Sequence, residues 1–250
     1  MPEGPSIVIL KEELQAFSKK KIIAVSGNSK IEISRLVNKK VNAFESWGKH
    51  LLICFDNFYL RIHMLMWGTC RINERKPVPP RLQMLFKNGE VNFYSCSIRL
   101  IEGTVEEFYD WETDVMSDKW NPKRAMKTIR ALGHASVCDV LLNQDIFSGV
   151  GNIIKNEVLF RIGLHPLSDV QALSPAKLRQ LVTEARNYSH DFYKWKKIYE
   201  LKKHWLIYKK SICPRCKIKV HREYLGKTER LTCFCTNCQR LYKSTRSSKR

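Results

Sequence analysis

Two short cysteine knuckles constrain this chain more than any other feature. They are Cys213-Pro-Arg-Cys216 and, after eighteen intervening residues, Cys235-Thr-Asn-Cys238. Each C-x-x-C turns two sulfurs toward one point, and two such pairs build the tetrahedral four-thiolate site that zinc occupies. Four protein ligands leave no position for water, so the expected cofactor is one structural Zn2+. The segment between the knuckles, KIKVHREYLGKTERLTCF, has β-favouring residues on both sides of a Gly turn and predicts a hairpin. Arg230 falls on its second strand, where it can be aimed at a phosphate. Cys233 is a further ligand candidate, but Cys235 is the one that completes a knuckle with Cys238. Cys54, Cys70, Cys96 and Cys138 are scattered singly in apolar surroundings and read as small buried residues.

Upstream of the knuckles the pattern changes twice. Ile7, Leu10, Leu14 and Phe17 recur at spacings of three and four, which predicts an amphipathic helix over 6–18, begun near Pro5-Ser6. From about 22 to 105 short β runs follow, among them LLICF, FYLRIHM, LQMLF and VNFYS, with turns at Asp56-Asn57 and Lys87-Asn88-Gly89. That spacing of strands suggests a sandwich or barrel. KPVPPR at 76–81 is a loop. Beyond about 120 the reading is helical. NPKRAMKTIRAL has an Asn-Pro start, SVCDVLLNQ is a short helix, and Asn152 is expected to cap IIKNEVLFRIG, which Gly163 ends. A further helix starts at Ser174-Pro175 and keeps Leu178, Leu181, Val182, Ala185 and Phe192 on one face. Gly149 and Gly151 flank Val150 just before Asn152; such a Gly-opened turn at a helix start suits an anion, or serves only a tight turn between helices.

The charge points to a polyanion. The net charge is +20, and residues 186–250 carry 19 Lys/Arg against four acids, which leaves +15 of it in the last quarter of the chain. A field so concentrated favours nucleic acid or an anionic membrane surface. The aromatic residues within HDFYKWKKIYELKKHWLIYKK read mainly as the apolar face of a helix rather than as stacking platforms for bases. No apolar run approaches the roughly 18 residues of a membrane span. The N-terminus lacks the basic-then-apolar order of a signal peptide. The chain is therefore expected to be soluble and cytoplasmic.

Four features occur in a telling order: Pro2-Glu3-Gly4-Pro5 at the N-terminus, Gly48-Lys49 ahead of His-Leu-Leu, the GVGNI turn, and the four-cysteine hairpin. This order resembles the formamidopyrimidine-DNA glycosylase / endonuclease VIII family of base-excision repair enzymes, over the chain to about residue 243. The resemblance implies an α+β chain: an N-terminal β-sandwich with flanking helices (1–118), a helical helix–two-turn–helix domain (119–208) and a C-terminal zinc-finger β-hairpin (209–243). Residues 244–250 would be a disordered basic tail. DNA would lie across the cleft between the halves, and the protein would act as a monomer on damaged DNA, nucleoid-associated when bound to it and with no membrane partner.

The resemblance also implies roles. Met1 is removed and the secondary amine of Pro2 is the nucleophile; Glu3 is the acid/base carboxylate; Lys49 binds the phosphates flanking the lesion and assists catalysis. Asn152 and Arg230 hold the same phosphates, and Glu157 supports them. Leu65, Met66 and Trp67 correspond to the three adjacent side chains with which the endonuclease VIII branch fills the hole left by a flipped-out base. The formamidopyrimidine branch uses a later Arg-Phe-Gly setting, and YSCSIRL here has none. The expected activity is thus removal of oxidised pyrimidines with β,δ-elimination of the strand. The alternatives are an oxidised-purine glycosylase, an enzyme of this fold that keeps lyase activity at abasic sites but has lost base recognition, and a non-catalytic zinc-ribbon nucleic-acid binder; the last does not account for Pro and Glu at positions 2 and 3.

Overall fold

A computed structural model describes residues 2–244. The chain forms two compact units, divided between Asp110 and Trp111. The first opens with α1 (Gly4–Glu13), which runs on as a tighter turn to Phe17. Eight strands follow: β1 (Ile22–Ser26), β2 (Ala43–Trp47), β3 (His50–Cys54), β4 (Phe58–His63), β5 (Thr69–Ile72), β6 (Leu82–Phe86), β7 (Gly89–Tyr94) and β8 (Ser97–Glu102). They make two antiparallel four-stranded sheets, ordered β1-β6-β7-β5 and β2-β3-β4-β8. Alternation sets which side chains go inward: along β6, Leu82, Met84 and Phe86 are buried while Leu85 is exposed. Met84, Val91 and Phe93 from one sheet share a core with Leu51, Ile53, Leu60 and Ile62 from the other, joined by Ile7, Leu14 and Phe17 of the first helix. The β6–β7 turn closes at Gly89, whose φ of +140° few side chains tolerate.

The second unit holds α2 (Pro122–Ala131), α3 (Val137–Leu142), α4 (Asn152–Arg161), α5 (Pro175–Lys197) and the hairpin β9 (His221–Leu225)–β10 (Arg230–Phe234). Three helices start on side-chain caps: Asn121 accepts from the Arg124 N–H, Ser136 from Asp139 and Ser174 from Lys177. The expected cap at Asn152 is not formed. Gly151 occupies the cap position of α4, Asn152 is its first residue, and the Asn152 amide is engaged elsewhere. Gly163, at φ +64°, stands just past the end of α4 as anticipated. Residues 111–118 pack with this unit: Asp114 bridges Ser148, and Val115 is fully buried in the helical core.

The cysteine-knuckle segment packs with the helices. After Cys238 the chain returns along the loop that follows α4, with Arg240 N–H donating to Gly163 and Asp169 N–H to Tyr242. Ser244, expected to begin a disordered tail, donates from its hydroxyl to Asp169 Oδ2 at 2.5 Å; the rest of that tail lies outside the described residues. Cys96 and Cys138 are buried as expected, while Cys54 and Cys70 are only half-buried. Of the aromatic residues near the end of α5, Phe192 is buried and Trp195 stacks on His204 with centroids 4.0 Å apart, but Tyr199 is 95% exposed. Among the described residues no helix is long and apolar enough to cross a membrane.

Candidate active site

Glu3 is the residue on which α1 begins. Its backbone is extended and its carbonyl accepts from Ser6 N–H at 2.8 Å. Its side chain is buried, a rare setting for a carboxylate. Pro2 stands half-buried in front of it, and Gly4 and Pro5 are buried behind it. Pro5, in the first turn, has no N–H to leave unbonded there. α1 packs against β2 and β3. The turn between those two strands is Gly48-Lys49, closed by the Trp47–His50 pair, with Gly48 at φ +52°. Lys49 is half-buried on that turn rather than on a strand.

The next residue, His50, is half-buried among aromatic rings. Trp47 stacks on it at 5.8 Å, and the rings of His63 and Tyr109 present edges at 5.6 and 5.9 Å. Burial, helped by the nearby positive charges of Arg61, His63, Lys49 and Arg99, brings its pKa down to about 4. The folded value lies below the unfolded one of 6.5, so the unfolded chain takes up the proton first. His50 therefore costs nothing above pH 6.5, and stability falls as the pH drops from there toward 4, by up to about 3 kcal/mol. Urea midpoints at pH 7 and pH 4.5 should show a smaller drop for His50→Phe than for wild type; equal drops would place the acid sensitivity elsewhere.

Cross-strand register assembles a basic cluster that the sequence reading left unmarked. Arg61 on β4 faces Arg99 on β8, and His63 pairs with both His50 and Ser97. These five side chains and Leu65 surround a cavity of about 250 Å³. In the sequence Arg61 and His63 are merely the polar members of an alternating strand; pairing partners cannot be read from one strand alone.

Leu65, Met66 and Trp67 form the turn between β4 and β5 and are 47, 50 and 80% exposed. None of the three belongs to the sandwich core. The turn is tight: Leu65 has φ +51°, and a Cβ at Gly68 would meet the Met64 carbonyl oxygen at 2.0 Å.

In the second unit α4 reads β10 through one face. Asn152 Nδ2 donates to the Leu231 carbonyl at 2.9 Å, Lys155 Nζ to Thr232 Oγ1 at 2.7 Å, and Asn156 Oδ1 accepts from the Cys233 N–H at 2.6 Å. Asn152 Oδ1 is buried and has no hydrogen-bond partner among the described residues. Lys155 is fully buried, and burial draws its pKa down to about 8. Arg230, at the start of β10, is half-buried next to the Leu231 that Asn152 holds. Glu157 faces away from this set: fully buried, it accepts the backbone N–H groups of Leu206, Ile207 and Tyr208 at 2.9–3.0 Å and so holds the chain entering the knuckles.

The sulfurs of Cys213, Cys216, Cys235 and Cys238 lie within 4.8 Å of one another, and those of Cys213 and Cys238 are 3.8 Å apart. A regular tetrahedron with metal–sulfur bonds of 2.3 Å has edges of about 3.8 Å, so the four thiols fit zinc. Cys233 is buried outside this group.

The model of the formamidopyrimidine-DNA glycosylase N-terminal domain matches residues 1–99, and that of the formamidopyrimidine-DNA glycosylase H2TH domain matches 113–189. Endonuclease 8-like 3 of Mus musculus is 35% identical over 219 residues, 84% of this chain and 36% of that protein. Endonuclease 8-like 2 of Homo sapiens is 36% identical over 199 residues, 72% of this chain and 57% of that protein. The chain thus spans between about a third and three-fifths of the length of these relatives. Among solved structures, a viral DNA glycosylase superposes with a TM-score of 0.83 at 22% identity, over 95% of this chain and 99% of that one. Formamidopyrimidine-DNA glycosylase of Lactococcus lactis, non-covalently bound to DNA containing an AP site, also gives 0.83, at 20% identity and the same coverage. At such identities this likeness is one of fold.

Proposed function

The chain belongs to the formamidopyrimidine-DNA glycosylase / endonuclease VIII family, and we propose that it is a bifunctional DNA glycosylase and AP lyase of base-excision repair. The observation that carries this reading is the head of α1, where a buried carboxylate, Glu3, starts the helix directly after Pro2. Removal of Met1 makes Pro2 a secondary amine. Terminal amines titrate at about 7.7–8.0, so a useful fraction is unprotonated near neutrality. Its lone pair attacks the sugar C1′, and the damaged base leaves with the electrons of the C1′–N bond. Glu3 protonates the ring oxygen as the C1′–O4′ bond opens. A secondary amine then gives a charged iminium with no further proton to lose. That electron sink allows the C2′ proton to depart as the 3′-phosphate leaves; the conjugated iminium then loses the C4′ proton as the 5′-phosphate leaves, and water releases Pro2. Lys49, Asn152 and Arg230 are assigned to the phosphates around the lesion, with Arg61 and Arg99 adding to the positive field of the first unit. Cys213, Cys216, Cys235 and Cys238 would hold one zinc, which shapes the hairpin and takes no part in the reaction.

The substrate reading rests on the β4–β5 turn. Three exposed side chains, Leu65, Met66 and Trp67, suit the filling of a vacated base position, and with no Arg-Phe-Gly later in the chain we assign oxidised pyrimidines. Met66 is unbranched and adapts to an irregular hole. Extruding a base costs a few kcal/mol of stacking and pairing, part of which an inserted apolar side chain offsets. Met66→Ala should therefore slow single-turnover excision of thymine glycol from duplex roughly tenfold, and slow cleavage of an abasic duplex much less. Equal losses on both, with a lowered melting temperature, would make Met66 a packing residue. The reading as a whole is tested by incubating the protein with oligonucleotides bearing thymine glycol, 8-oxoguanine or an abasic site under borohydride. Covalent capture is expected on thymine glycol and the abasic site. Capture on 8-oxoguanine in preference would reverse the substrate assignment, and no capture at all would leave a zinc-bearing DNA-binding protein.

A further inference from the structure

A second cationic site shares no residue with those assigned above. Residues 119–138 contain Lys119, Lys123, Arg124, Lys127 and Arg130 and no carboxylate. They include α2, which buries Ala125 and Ile129 and leaves Lys123, Lys127 and Arg130 exposed at spacings of four and three. Where α2 meets α5, these three and Arg179 line a cavity of about 350 Å³, with Met126 and the first residue of α5, Pro175, completing its wall. Arg124, on the same helix, is paired with Glu112 at 2.9 Å. Among the described residues no carboxylate pairs with any of the other four. The positive end of the 23-residue helix α5 adds to the same field. Four like charges converging on one open cavity repel one another, and an anion would relieve this.

We propose that this cavity is a second contact for a nucleic-acid backbone, one that binds strand beyond the lesion and takes no part in the chemistry. A single phosphate would meet fewer charges than the site presents. Lys123 to Arg130 spans about 10 Å along the helix axis, the rise of about three nucleotides of one strand. The inference stands apart from the glycosylase reading, since it needs only affinity for a polyanion.

The test uses the full chain and lesion-free oligothymidylates of about ten and about forty nucleotides, with affinity followed against salt. On the longer strand, Lys123→Ala/Lys127→Ala/Arg179→Ala should lower the slope of log K against log salt by about 2 and weaken binding roughly 10- to 100-fold, given about 0.7 per phosphate contact on single strands. Zinc content and melting temperature should not change, and the loss on the shorter strand should be smaller. Lys20→Ala/Lys39→Ala/Lys40→Ala removes the same charge from exposed positions of the first unit and should cost less than about threefold. Equal losses for the two triple variants would reduce the effect to net charge and overturn the proposal, as would an unchanged slope. Phosphatidylserine vesicles form the remaining arm: binding to them that the α2–α5 variant loses, while its DNA slope stays that of wild type, would assign the cavity to a membrane surface and equally overturn it.

Discussion

Protein that keeps Met1, or whose Pro2 amine has been acetylated, should capture no DNA under borohydride and should cut abasic strands at least about 1,000-fold more slowly than processed protein. In either form the Pro2 nitrogen is a neutral amide whose lone pair is delocalised into a carbonyl, and it can neither attack C1′ nor form an iminium. Pro2→Gly restores a free amine, but a primary one, whose imine must take up a proton before it becomes an equally good electron sink. Weak capture and slow cleavage should return. Glu3→Gln separates the two activities: excision of thymine glycol should fall by about 100- to 10,000-fold, the range for a positioned general acid. Abasic-site cleavage should fall less, because that substrate has no glycosylic bond left to break. Intact mass would establish the N-terminus, and single-turnover rates on thymine glycol and abasic duplexes the rest. Full activity with Met1 retained would remove Pro2 as nucleophile; equal losses on the two substrates would make Glu3 a helix-starting residue with no part in base release.

The sequence made some of this legible and hid the rest for identifiable reasons. Strands such as LLICF and FYLRIH show themselves through β-branched and aromatic residues between turn residues, and Ser174 and Gly163 mark helix ends by chemistry that acts within a few residues. The cysteine hairpin was legible because metal geometry fixes ligand spacing locally. What stayed hidden depends on partners distant in the chain. Asn152 has the residue type and position of a cap, but its amide is drawn to Leu231, seventy-nine residues on. Arg61 and Arg99 become neighbours only through the β4–β8 register. Lys155 reads as the solvated member of a helix and is fully buried because the hairpin closes over it. Residues 111–118 carry no helix or strand signal that ties them to either side, and their attachment to the second unit runs through Asp114, Val115 and Ser148.

If the four cysteines hold zinc, the α4–β10 contacts predict that the metal contributes strongly to the proposed DNA binding. Asn152, Lys155 and Asn156 bond to Leu231, Thr232 and Cys233, three consecutive residues of a strand that has only β9 beside it in its sheet. Two strands alone are marginal in water, so that hairpin depends on the ligands at its base and on α4. Cys235→Ser should reduce bound zinc from one per chain to none, since a hydroxyl does not replace a thiolate, and structural zinc in such sites contributes about 10–16 kcal/mol. β10 would then lose its fixed end, Lys155 would be left buried without its Thr232 partner, and the strand carrying Arg230 would no longer be held beside Asn152. Binding to lesion DNA should fall more than about 100-fold, while β1–β8, whose core shares no residue with the knuckles, should keep their strand signal in circular dichroism. Cys233→Ser should behave differently. Its backbone N–H still reaches Asn156, its sulfur lies outside the ligand group, and the cost should be about 1–3 kcal/mol for a buried hydroxyl, with zinc still at one per chain. Metal content and DNA affinity measured on the two variants decide the matter. Zinc lost with Cys233→Ser and kept with Cys235→Ser would move the fourth ligand two residues back along β10. Zinc lost from Cys235→Ser with DNA affinity unchanged would show that Arg230 and Asn152 are held together without the metal.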